Sequence, residues 1–154
     1  MKKLLLTLII LMFGLNVFAT EQEDALKFFN SFVSASNSYN TSLLKMYSDD
    51  AKIIRQVVKP DGKLVNVNFS ISDYRKQMKI SSKIAKLKNY KNYYSNIHVT
   101  KVLNGYRIDS IRKPSLSDDK LKSSIIVQKQ ADGKWLIIEE LMQTKEQIFL
   151  KYVK

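Results

Sequence analysis

The chain contains no cysteine, and this excludes several chemistries at once. Disulfides, thiolate metal sites, cysteine nucleophiles and lipid attachment through an N-terminal cysteine are all ruled out. Glycine is scarce as well: there are four, of which Gly62, Gly105 and Gly133 lie beyond residue 19. They do not form a phosphate-cradling loop, and there is no nucleophile elbow. Histidine occurs once, as His98. With no metal-ligand spacing around it, no metal and no cofactor are expected. Acid is missing from the middle of the chain. Between Asp73 and Asp109 there is no Asp or Glu, yet there are nine basic residues, Lys76, Lys79, Lys83 and Lys86 among them.

What is present begins with a segment that reads as a targeting signal. Met1-Lys2-Lys3 is a short positive stretch, Leu4 to Leu15 is almost wholly apolar, and Val17-Phe18-Ala19 ends it with small residues at the cleavage positions. This pattern predicts a secretory signal peptide over 1–19, cleaved after Ala19, and a periplasmic or secreted protein. The apolar run is shorter than the ~20 residues needed to span a bilayer. Removing Lys2 and Lys3 lowers the net charge from +12 to +10. The mature chain, residues 20–154, is long enough for one domain with a real core.

Along that domain the apolar spacing predicts helices first and strands after. Thr20-Glu21-Gln22-Glu23 has the form of a capping box opening a helix to about Ser36. Ala25, Leu26, Phe28, Phe29, Phe32 and Val33 form its apolar face. Asn40 or Thr41 caps a short second helix with Leu43, Leu44 and Met46. Strands over 52–58 and 64–69 flank the turn Pro60-Asp61-Gly62-Lys63. Ser70-Ile71-Ser72-Asp73 caps a helix to about Leu87, with Ile71, Tyr74, Met78 and Ala85 inward. Two hairpins follow, over 93–112 around Asn104-Gly105 and over 121–143 around Ala131-Asp132-Gly133-Lys134. A short basic tail ends the chain. Helices preceding a mostly antiparallel sheet of about six strands make the fold class α+β.

This order resembles the nuclear transport factor 2-like superfamily, in which a curved sheet wraps a long helix into a cone with a pocket. Leu43-Leu44-Lys45-Met46-Tyr47-Ser48-Asp49-Asp50-Ala51 is similar to that family's entry into its first strand: short helix, tyrosine, acidic pair, alanine. Asp132-Gly133-Lys134-Trp135-Leu136-Ile137-Ile138 is similar to its last hairpin. The fold hosts enzymes and non-enzymes, so the resemblance implies a site location rather than a reaction. Ketosteroid isomerases of this fold carry a general-base Asp five residues after the acidic pair. Arg55 stands there instead, and an arginine cannot accept a proton.

The resemblance points Arg55 into the pocket, where it needs either a protein carboxylate, Glu139 or Glu140, or an anionic ligand. Tyr47, Tyr93 and Tyr106 are the further candidate ligand-binding residues. For an enzyme, a lyase or isomerase, the only acid–base candidates are His98 and Asp109. Counting from Asn104-Gly105 sets Leu103 opposite Tyr106, His98 opposite Ile111 and Asp109 opposite Thr100, with His98 and Asp109 diagonal on one face. Lys76, Lys79, Lys83 and Lys86 recur at helical spacing as a basic stripe, either a solvated face or a contact for an anionic surface. Strands 121–130 and 134–143 are apolar on both faces. Ile126, Leu136 and Ile138 are therefore expected at a homodimer interface on the outer sheet face. The leading expectation is an exported, non-enzymatic protein that binds a small ligand, with anions among the candidates, or an envelope protein. The alternatives are the His98/Asp109 enzyme and a peripheral binder of anionic envelope surfaces. Specific nucleic-acid binding is not expected.

Overall fold

The structure is a computed structural model and describes residues 2–153, with side chains from Thr20 onward. The expected signal peptide, with cleavage after Ala19, lies outside the residues whose side chains are described. Helix α1 (Lys2–Asn37) is followed by a 3-10 turn (Thr41–Met46), β1 (Tyr47–Val58), β2 (Leu64–Phe69), α2 (Ile71–Leu87) and β3 (Asn92–Val102). Then come β4 (Gly105–Pro114), β5 (Leu121–Lys129), β6 (Trp135–Thr144) and a second 3-10 turn (Gln147–Tyr152). The class is α+β, as the order of apolar periods requires.

One six-stranded sheet has the order β2-β1-β6-β5-β4-β3. All neighbours are antiparallel except β1 and β6, which run parallel. The first strand thus lies in the middle of the sheet against the last, and the hairpins β1–β2 and β3–β4 form its wings. Phe29 and Phe32 of α1 are buried on the concave face against Tyr94 and Tyr47 in edge-on ring contacts. Ile53, Ile108, Ile125, Val127 and Ile137 complete that core.

Local chemistry explains most boundaries. Ser70 Oγ accepts from the Asp73 amide and donates to the Asp73 carboxylate, so α2 starts where its cap is. Asn40 caps the first 3-10 turn through the Ser42 amide. The β1–β2 and β5–β6 turns share one geometry. In each, an Asp side chain (Asp61, Asp132) accepts from the following lysine amide and a glycine (Gly62, Gly133) takes a positive φ.

Three expectations need correction. Thr20 does not cap α1, because the helix is already continuous from Lys2 and a cap exists only at a first turn. The first strand starts at Tyr47, five residues before the β-branched run, since pairing with β6 carries it further. In the β3–β4 hairpin, Val102 faces Gly105, so Leu103 and Asn104 form the turn and His98 faces Asp109 directly. The basic C-terminal stretch, for its part, includes a 3-10 turn packed on the sheet, with Phe149 and Tyr152 edge-on to Phe69.

Candidate functional site

The concave face, the end of α1, the first 3-10 turn, α2 and the C-terminal turn enclose a cavity of about 780 Å³. That is the size range of small-molecule sites. Its polar lining includes Arg55, Tyr74, Tyr90, Asn92, Tyr94 and Arg112. Two arginines in one cavity raise the question of what neutralises each.

Arg55 is neutralised from within. It comes inward from β1 between Ile53 and Val57, both buried. Its Nη1 lies 2.7 Å from Oε1 of Glu140, whose side chain is fully buried on β6. The contact is a charge pair and not an aligned hydrogen bond, because Oε1 has no bonded donor. Glu140 Oε2 accepts from Tyr47 Oη in a short contact, and Tyr47 Oη lies 3.1 Å from Tyr74 Oη. The Arg55 guanidinium sits 5.2 Å from the centre of the Tyr74 ring. Burial disfavours the Arg55 charge, but the Glu140 carboxylate outweighs it and the guanidinium is held more firmly protonated than usual. Burial, reinforced by Glu140, pushes the Tyr74 phenol up to about 12. The same two causes raise Tyr47 well above its ordinary range.

Arg112 is different. It projects inward from β4, directly opposite Tyr94 on β3 and Leu121 on β5, and is buried. Its Nη1 donates to Asn92 Oδ1 at 2.8 Å and to Tyr90 Oη at 3.3 Å, and its Nη2 donates to the Gln143 carbonyl at 2.6 Å. That carbonyl is available because the Gln143 side-chain oxygen takes the Lys122 amide instead. All these acceptors are neutral, and Nε has no acceptor. Among the described residues no carboxylate forms an ion pair with Arg112. A buried guanidinium with this environment favours an anion in the adjoining space. Nearby, Ser110 and Ser123 face each other across β4 and β5, and their buried hydroxyls also lack partners.

The other expected site residues are scattered. Tyr47 is buried beside Glu140 and is not part of the cavity wall. Tyr106 belongs to the core, its hydroxyl donating to Glu21 and its ring lying under Lys101 Nζ at 4.3 Å. Tyr93 is exposed on the convex face, and Tyr94 takes the inward position expected of it. The cause is a bulge. The β3–β4 register shifts between Ser95 and His98, where Asn96 adopts φ +51°, and one extra residue reverses which side chains point inward. His98 and Asp109 face each other on the convex face, away from the cavity.

Lys76, Lys79, Lys83 and Lys86 are exposed on α2, with Asp73 3.7 Å from Lys76. Ile126, Leu136 and Ile138 are half-buried in β5 and β6, and Ile126 faces Glu139 on one side and Arg107 on the other. Sequence reasoning passed over Arg112. The available signal was parity: it continues the inward series Tyr106, Ile108, Ser110 on a central strand.

A nuclear transport factor 2-like protein with a cystatin-like fold from Novosphingobium aromaticivorans matches at a TM-score of 0.62 and 7% identity, over 92% of this chain and 94% of the other. The fold is nuclear transport factor 2-like. A candidate ketosteroid isomerase from Shewanella frigidimarina matches at 0.55 and 19% identity, over 75% of this chain and 91% of that one. Bd1075 of Bdellovibrio bacteriovorus matches at 0.56 and 14% identity, over 78% of this chain. This chain spans only 39% of Bd1075. No protein-family model matches the chain, and no curated protein does. At such identities the nuclear transport factor 2-like likeness is one of fold and carries no reaction with it.

Proposed function

We propose that this is an exported binding protein whose cone cavity holds a small amphipathic anion, with Arg112 as its charge partner. The observation that carries the reading is Arg112 itself: buried, facing the cavity, bonded only to neutral oxygens and with Nε unbonded. Around it the wall is mostly apolar, with Phe32, Leu43, Met78 and Met142 contributing. A carboxylate or phosphate at Arg112 with an apolar body along that wall satisfies both. Binding is favoured over catalysis because the buried acid is engaged and the histidine is elsewhere, while Glu146, the remaining carboxylate of the lining, stands exposed. Glu140 is held by Arg55 and Tyr47, Asp119 is paired with Lys145 at 2.6 Å, and His98 lies on the other face.

The test is calorimetric titration with decanoate and with 2-naphthoate, alongside native mass spectrometry of protein purified from its own source. A charge-assisted contact of about 1.5–3 kcal/mol corresponds to roughly ten- to hundredfold in affinity. Arg112→Gln is expected to lose that much, and Arg112→Lys to recover part of it. Equal binding by wild type and Arg112→Gln, or no binding of any anion, would retire the reading. N-terminal sequencing tests export, with Thr20 expected first.

A further inference from the structure

Helix α2 presents an outward apolar face that the core does not use and that meets the cavity only at its edge. Ile80, Ile84 and Leu87 lie at i, i+4 and i+7 and are each at least half exposed, Leu87 at 88%. Lys76, Lys79, Lys83 and Lys86 run alongside them on the same helix. An apolar stripe edged by lysine is the pattern of a helix lying in a membrane interface, with aliphatic side chains among the acyl chains and ammonium groups at the phosphates. Ile84 also lines the cavity, and a residue that is both cavity-lining and half exposed stands at the opening. Two more exposed aliphatic residues do the same from other parts of the chain: Leu116 in the loop after β4 and Ile148 in the C-terminal turn. The stripe and the rim of the cavity are therefore continuous through Ile84.

We infer that the cavity mouth is a docking surface for an anionic phospholipid membrane, with Ile80, Ile84, Leu87, Leu116 and Ile148 inserting and the α2 lysines pairing with headgroup phosphates. Charge complementarity selects this occupant. An apolar rim alone would suit a second protein chain, but its α2 side is acid-free from 74 to 108 and suits a surface of phosphates, and on the other side Asp118 and Asp119 are paired with Lys113 and Lys145. Docking in this orientation opens the cavity toward the lipid, so an amphipathic anion would pass between bilayer and cavity without crossing water. The inference does not require a ligand at Arg112. Vesicle partition is measured on ligand-free protein and the Arg112 titration without vesicles, so the two readings fail separately.

The experiment is co-sedimentation with phosphatidylcholine vesicles, with and without phosphatidylglycerol, at low salt and at ~0.15 M, where exposed charges are screened beyond about 8 Å. Wild type is expected to bind the phosphatidylglycerol vesicles and to retain measurable binding at the higher salt. The triple variant Ile80→Ser, Ile84→Ser, Leu87→Ser keeps every charge. It is expected to lose at least roughly tenfold, since three aliphatic side chains no longer leave water on docking. Leu116→Ser with Ile148→Ser leaves α2 untouched and is expected to weaken binding as well, so the test does not depend on one variant's folding. Changing Lys76, Lys79, Lys83 and Lys86 to Gln is expected to lower binding more than the same change at Lys59, Lys63, Lys129 and Lys134. Equal losses from the two lysine sets would overturn the inference, because net charge would then suffice. Undiminished binding by both aliphatic variants would overturn it too. So would a wild-type dimer that these variants dissociate, which would show the rim to be covered by a second copy.

Discussion

Two arginines in one cavity have opposite roles because of what stands beside them. Arg55 has Glu140, and Glu140 has Tyr47, so three buried polar groups close on one another. Removing one member leaves an uncompensated charge in the interior. Glu140→Gln is therefore expected to destabilise the fold by about 3–5 kcal/mol, read from urea unfolding. The phenols report the same burial. Tyr47, Tyr74 and Tyr94 are all raised, mainly by burial, so these three of the eight tyrosines should ionise late in an alkaline absorbance titration. A phenol whose folded pKa exceeds its unfolded value of about 10 binds its proton more tightly in the fold. Its stabilising contribution is complete below that pH and is lost as pH rises through the folded value, about 12 for Tyr74. Stability should fall across that window, and Tyr74→Phe should remove one late-titrating phenol.

Caps and turns decide where the elements start and how they are registered. Ser70 holds the first turn of α2, and Ser70→Ala is expected to cost about 1 kcal/mol in thermal or urea unfolding. Because α2 forms one wall of the cavity, hydrogen exchange should speed up first at its N-terminal turn. Gly105 sets the β3–β4 hairpin at φ +137°, and a Cβ there would lie 2.0 Å from the Val127 carbonyl oxygen. Gly105→Ala must therefore displace backbone of β5, which is expected to destabilise by more than 1 kcal/mol. A wild-type melting temperature in that variant would show the hairpin to be more yielding than its geometry. The Asn104-Gly105 pair did mark a hairpin, but the close approach to β5 placed Gly105 at the strand start and moved the turn back to Leu103-Asn104. The shift is two residues, so the faces stayed as expected while the partners changed.

Across the whole molecule, the convex face mixes half-buried Ile126 and Leu136 with the charges of Lys52, Arg107 and Glu139, and half-buried Ile138 sits at the β5–β6 register shift. Homodimerisation through this face predicts a dimer by light scattering at micromolar concentration, and Ile126→Lys should convert it to monomer. A monomeric wild type would leave the face to solvent, since the C-terminal turn packs on Phe69 and lines the cavity instead.

The division between sequence and structure follows the range of the forces involved. Helix and strand periods, the Ser70 cap, the Asp-Gly turns and the α+β order are local, and the sequence by itself determined them. The basic stripe on α2 was legible for the same reason, as four lysines at helical spacing. Whether Arg55 met a protein carboxylate was not, because Glu140 is eighty-five residues away and reaches it only through the parallel β1–β6 pair. The inward turn of Tyr94 came from a single bulge at Asn96, to which residue composition is blind, whereas His98 faces outward because it pairs with Asp109, between inward Ile108 and Ser110. Arg112 carried no motif. Tertiary structure alone decided that it lies buried between Tyr94 and Leu121 with only neutral acceptors, because those partners come from three other segments of the chain.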